Sequence, residues 1–263
     1  MIETMRMLRA QNPDVYIGSS AMDFGSMLGL IWAAGGDPFS VDGTTVGINL
    51  TDDPGVARVA EVWQTLHDEG MSFPILNWTD EWFRALGDGT IAFLPMGAWM
   101  PGNLIGSVPA GEGEWRVAPL PQFEAGGTGT GHHGGSTIAM MDASQNKALA
   151  YGFLEFAGVG AGVQPRVDDG IFPDTVEHLE ASSWRDAEVE YFGDRQINQV
   201  LGDAAANALP GWQFLPFQVY ANSIYSDTVG QAFIDQGTIM DGMAAWQTRL
   251  ESFAETQGFD LKQ

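Results

Sequence analysis

No cysteine occurs among the 263 residues, so disulfides and thiolate metal sites are excluded. Lysine is nearly absent, with only Lys147 and Lys262. Eleven Lys and Arg face 34 Asp and Glu, a formal net charge of −23. Nucleic-acid binding rests on clustered cations that neutralise phosphates, and this chain has no such cluster. The same deficit disfavours anionic membrane surfaces and acidic substrates. No apolar run approaches the roughly 20 residues needed to cross a bilayer, and no transmembrane span is expected. Met1-Ile2-Glu3-Thr4-Met5 does not read as a signal peptide, so no export signal is expected in this sequence.

What is present describes a globular protein of one large or two smaller domains, with 44% hydrophobic and 11% aromatic residues. Periodicity predicts a helix over 3–10 and a buried one from Met22 to Ala34, stopped by Gly35-Gly36-Asp37-Pro38. Val41 to Thr44 reads as a turn before a strand over Val46 to Leu50. The next helix is the best marked. Thr51, Asp52 or Asp53 can cap it, Pro54 fits its first turn, and Gly70 follows its end. Val56, Val59, Ala60, Trp63 and Leu66 form its apolar stripe. Thr79-Asp80-Glu81 opens another helix, Ile91–Leu94 reads as a strand covered on both faces, and Met96–Ile105 as a helix carrying Trp99 in its first turn. Strands are expected at 115–120 and 137–141, a helix from Ser144 to Ala157, and helices at about 185–202, 217–234 and 238–256. Strands confined to the first 141 residues and a helical final third make an α/β class.

Constellations for catalysis are missing. Gly129-Thr-Gly131-His-His-Gly134 has dinucleotide spacing, but it follows a loop and precedes a predicted strand, where no helix N-terminus could hold a pyrophosphate. His132 and His133, adjacent on an extended segment, point to opposite sides and cannot readily chelate one ion, so no metal or other cofactor is expected. Asp52-Asp53 is explained by capping and Asp168-Asp169 by a polar turn. No Gly-x-Ser-x-Gly occurs. Aromatic residues at strand ends are more informative. A sugar ring packs its C–H face on an indole, and Trp99, after Pro95-Met96-Gly97-Ala98, is placed for that role.

Three phrases occur in fixed order: Gly-Asp-Gly-Thr-Ile-Ala-Phe-Leu-Pro-Met-Gly-Ala-Trp (87–99), Trp-Arg-Val-Ala-Pro-Leu-Pro (115–121) and His-His-Gly-Gly-Ser (132–136). With Ala34–Phe39, the Asp53-Pro54 helix, the Asn146-Lys147 helix and Gly170-Ile171-Phe172-Pro173, they resemble the sugar-binding class of extracellular solute-binding proteins of ABC transporters, the group of maltose-binding protein. The resemblance implies a periplasmic-binding-protein-like, two-lobe hinged α/β fold. Here it is mainly the C-terminal lobe, with a partial N-terminal lobe and a helical C-terminal region. Residues 1–120 plus 168–263 would form the C-terminal lobe, and 121–167 the hinge crossings and a returning segment. Because that segment would lack the sheet it completes, exposed apolar surface is expected over 137–157.

The resemblance also implies a non-enzymatic monomer, extracellular or periplasmic and lipoprotein-tethered in its full-length form, that binds a sugar and hands it to ABC permease subunits. Trp99 matches the family's stacking tryptophan, and Gly134, Gly135 and Ser136 its hinge-side turn. Trp212, Tyr220, Asp37 and Arg166 are further candidate ligand residues. A carboxylate hydrolase and a non-binding remnant are the alternatives.

Overall fold

The computed structural model describes residues 1–18, 23–234 and 237–262, the Phe233 side chain excepted. The chain divides into two compact units. One comprises Met1–Met96, Leu120–His133 and Asn207–Gln263, and the other Gly97–Pro119 and Gly134–Ala206. This division differs from the lobes expected above, because residues 97–119 and 168–206 cluster with 134–167.

The first unit joins helices to two small sheets. Tyr16–Ile17 pairs in parallel with Ile91–Phe93. Phe39–Asp42 and Thr45–Ile48 form an antiparallel hairpin, turned at Gly43 (φ +60°), and Asp260–Leu261 adds in parallel to its second strand. The best-marked helix runs Pro54–Asp68. The Asp53 carboxylate accepts from the Val56 N–H at 2.9 Å, and all five stripe residues are buried. The buried helix is Phe24–Ala33, capped by Asp23, and Met22 lies outside the described residues. Ile2–Gln11 and Asp80–Gly87 follow the expected boundaries closely. Gln218–Tyr225 and Gln231–Ile234 are joined by a π-turn at Ser226–Gly230, and Ile239–Thr256 begins with a Thr238–Asp241 capping box. Trp246 sits in the core, edge-on to Phe39, Phe24 and Tyr225, and donates to the Ala221 carbonyl at 3.1 Å.

The second unit has no strand among the described residues. Its helices are Met100–Ser107, Lys147–Gly158, Val163–Asp168, Val176–Glu180, Ser182–Arg185 and Ile197–Ala206. Met100, Leu104, Val108, Val163, Tyr191 and Phe192 are buried, and the Tyr191 hydroxyl donates to the Val108 carbonyl at 2.6 Å.

Several sequence expectations are corrected. Trp115–Leu120 forms no strand, and Pro119 and Pro121 remove ladder donors there. Thr137–Met141 is not a strand either, and every residue in it is exposed. Ala92 is exposed, so Ile91–Phe93 is covered on one face only. The expected 185–202 helix is interrupted where Gly193 (φ +69°) and Asp194 (φ +56°) turn left-handed, and it restarts at Ile197. Phe39–Asp42 is a strand rather than the approach to a turn, and Asp260–Leu261 places a strand beyond residue 141. The exposed apolar surface over 137–157 is present, with Ile138, Met141, Leu149, Tyr151, Phe153 and Phe156 all open to solvent.

Candidate functional site

In the first unit, two loop segments meet on the Phe24–Ala33 helix. Thr130 and Ala208 form a parallel bridge, with Thr130 N–H donating to Asn207 O and Leu209 N–H to Thr130 O, both at 3.0 Å. The Trp32 indole N–H donates to the Leu209 carbonyl at 2.6 Å, which fixes both segments against the helix. The result is a three-ring stack. His132 lies on one face of Trp32 (4.7 Å, 16°) and Trp212 on the other (5.1 Å, 9°). Phe39 and Phe214 meet Trp212 edge-on at 6.3 and 6.2 Å. The neighbouring Gln213 accepts from the Val41 N–H at 2.9 Å and so ties Trp212 to the hairpin. The Trp212 indole nitrogen is buried and has no hydrogen-bond partner among the described residues.

Glycine makes this approach possible. A Cβ on Gly29 would lie 2.9 Å from the His132 carbonyl oxygen, and one on Gly131 would lie 2.2 Å from the Gly29 carbonyl oxygen. His133 turns the other way, its Nε2 lying 3.4 Å from the Asp23 carboxylate. Burial alone would raise the Asp23 pKa, but hydrogen bonds from His133 and from the Ser26 backbone outweigh it and hold the value below the ordinary range. The two histidines thus engage different partners, and no cluster of metal-ligating groups is present among the described residues.

In the second unit, Trp99 and Gly134 come together. Trp99 occupies the N-cap position of Met100–Ser107, one residue ahead of the first turn expected for it. A Cβ on Gly134 would lie 3.0 Å from the Trp99 indole nitrogen. Gly134 (φ +95°) and Gly135 (φ +107°) take conformations that a side chain resists, so this turn needs both glycines. Ser136 is exposed beside them. Arg166 binds Asp174 at 2.7 Å and the Ala157 carbonyl at 2.6 Å, so it links its helix, Val163–Asp168, to the end of Lys147–Gly158 and to the segment before Val176–Glu180.

The remaining candidates lie in the first unit, apart from the ring stack. The Asp37 backbone N–H donates to Asp53 at 2.9 Å while its side chain is exposed. Tyr220 stacks on Phe253 at 3.7 Å and borders an open groove of about 360 Å³ with Thr248, Arg249, Ser252 and Thr256. Sequence reading missed the place of His132 and Trp32 in the stack. The available signal was Gly131 and Gly134 flanking two adjacent histidines.

Comparison with known proteins gives concordant results. A family model for bacterial extracellular solute-binding proteins matches residues 1–158. The arabinooligosaccharide-binding protein of Halalkalibacterium halodurans is 27% identical over 144 residues, 52% of this chain and 31% of that protein. Among solved structures, the ABC transporter associated binding protein from B. animalis subsp. lactis Bl-04, in complex with β-1,6-galactobiose, aligns with a TM-score of 0.92 at 38% identity. That alignment covers 100% of this chain and 67% of the other. The galacto-N-biose-/lacto-N-biose I-binding protein from Bifidobacterium longum, in complex with lacto-N-biose, gives 0.80 at 24% identity over 96% of this chain and 62% of its own. The chain therefore spans about a third of the curated relative it matches and about two thirds of these solved chains.

Proposed function

The chain belongs to the bacterial extracellular solute-binding protein family, and from that premise we propose that it is the oligosaccharide-binding component of an ABC importer. It shares the α/β fold of the two-lobe binding proteins, whose family consists of solute binders rather than enzymes. One observation carries the proposal: 38% identity along its whole length to a protein that holds β-1,6-galactobiose. The chemistry of the chain agrees. A sugar needs flat apolar faces and a few placed polar groups, and the first unit offers a ring stack while the second offers Trp99 over a glycine turn.

In this reading Trp99 stacks on a sugar ring, and Gly134, Gly135 and Ser136 present backbone and hydroxyl groups to it. Trp212 and Tyr220 supply further apolar surface. Asp37 has an exposed carboxylate available for a hydroxyl, whereas Arg166 is engaged by Asp174 and contributes least. The protein acts outside the cytoplasmic membrane as a monomer, lipid-tethered in its full-length form, and passes its ligand to the permease without making or breaking bonds.

Calorimetry against β-1,6-galactobiose, lacto-N-biose and arabino-oligosaccharides tests this. Saturable binding lost in Trp99→Ala is the expected result. Absence of saturable binding to every sugar, or release of monosaccharide from any of them, overturns it.

A further inference from the structure

We propose that His132 is a specificity residue of the saccharide site, its ring nitrogens hydrogen-bonding a ligand hydroxyl at the exposed end of the Trp32 stack. This rests on the saccharide-binding reading and adds a residue to it. Three observations converge. His132 is exposed, yet its ring lies flat on Trp32 at 4.7 Å. Its ring nitrogens make no hydrogen bond among the described residues, whereas the adjacent His133 is committed to Asp23. Its main chain packs closely on the helix, the His132 carbonyl lying where a Cβ on Gly29 would come within 2.9 Å.

An exposed polar side chain ordinarily keeps its rotamer freedom and loses it on binding. Here stacking and the glycine contacts have already restricted the ring. Trp32 cannot itself receive a sugar, because His132 and Trp212 cover both its faces. The free end of the stack on that side is therefore the imidazole. A neutral imidazole has one donor and one acceptor nitrogen, so it can meet a hydroxyl in either sense. A fixed, unpaired polar group at the edge of an aromatic surface is the element that orients a polyhydroxylated ligand.

The test compares His132→Phe, which keeps a planar ring on Trp32 but removes both nitrogens, with His132→Gln, which restores a donor and an acceptor. Each is titrated calorimetrically with β-1,6-galactobiose and the sugar panel above, beside thermal unfolding. Expected are saturable binding by the parent chain, affinity lowered about five- to tenfold in His132→Phe, partial recovery in His132→Gln, and unchanged melting temperatures. If His132→Phe fails to fold, His132→Leu, which also lacks both nitrogens, carries the same expected loss. Affinity in the Phe variant within twofold of the parent overturns the proposal. So does a loss that tracks a lowered melting temperature, since that marks a structural role. A parent chain that binds none of the sugars overturns the saccharide reading itself.

Discussion

Trp32 and Trp212 lie face to face, ring centres 5.1 Å apart and planes 9° from parallel, although 180 positions separate them in the chain. Trp32 is fixed by its helix and by the 2.6 Å hydrogen bond to Leu209, and Trp212 by the hairpin contact of Gln213. Trp32→Phe keeps an aromatic ring but leaves the Leu209 carbonyl without its indole donor. A destabilisation of about 1–2 kcal/mol is expected in urea unfolding, with a larger loss in Trp32→Ala. Equal stability of Trp32→Phe and the parent would show that this bond contributes nothing.

Asp53 is buried and serves two backbone donors, Val56 N–H at the start of its helix and Asp37 N–H before the hairpin, both at 2.9 Å. Asp53→Ala orphans both, and about 2–3 kcal/mol of stability should be lost. Asp53→Asn keeps one acceptor and should cost less than the alanine. Denaturant midpoints of the three proteins decide the order.

Much of this was readable in advance, for local reasons. The Pro54–Asp68 helix announces itself because Asp53, Pro54, the apolar stripe and Gly70 are all short-range signals that tertiary context leaves standing. Motif order singled out Trp99 and Gly134 as candidates, but not the contact between them. Strand pairing was not. Asp260–Leu261 finds Thr45–Ile48 across more than 200 residues, and nothing in two residues of sequence marks that partner. The ring stack stayed hidden for the same reason, since its members come from three separate segments. Thr137–Met141 shows the converse error: its apolar composition suggests a strand, but a strand needs a neighbour, and this segment is exposed throughout.

Asp23 links the helix N-terminus to His133, and its depressed pKa makes stability pH-dependent. A carboxylate whose folded pKa lies below the unfolded value stabilises the fold above the unfolded value and loses that contribution as pH falls through the folded one. The stability difference between the parent and Asp23→Asn should therefore be largest above the ordinary aspartate value of 3.8 and shrink below it. A difference that does not change between pH 7 and pH 3 would contradict this.

Close packing at Gly131 gives a sharper handle on the stack. Its Cβ would sit 2.2 Å from the Gly29 carbonyl and 2.8 Å from the Trp32 Cβ, both parts of a helix that cannot easily yield. Gly135 offers a control: it is also conformationally constrained at φ +107°, but a Cβ there meets nothing within 4 Å. Gly131→Ala should displace the His132 loop and alter tryptophan fluorescence, whereas Gly135→Ala should cost backbone strain without changing the stack. Identical spectra for the two variants would argue against the loop position described here.

The Lys147–Gly158 helix makes the last prediction, because its apolar residues stabilise little. Leu149 is 76% exposed, Phe153 58% and Phe156 53%, while Ala157 alone among its residues is buried. Burial is the source of hydrophobic stability, so replacing exposed rings should leave the fold's free energy within about 0.5 kcal/mol of the parent. Exposed apolar side chains on one helix also favour weak, non-specific association at high concentration. The triple variant Leu149→Lys, Phe153→Lys, Phe156→Lys should thus unfold at an unchanged denaturant midpoint while concentration-dependent light scattering falls. A midpoint lowered by several tenths molar would mean that these side chains are buried in solution.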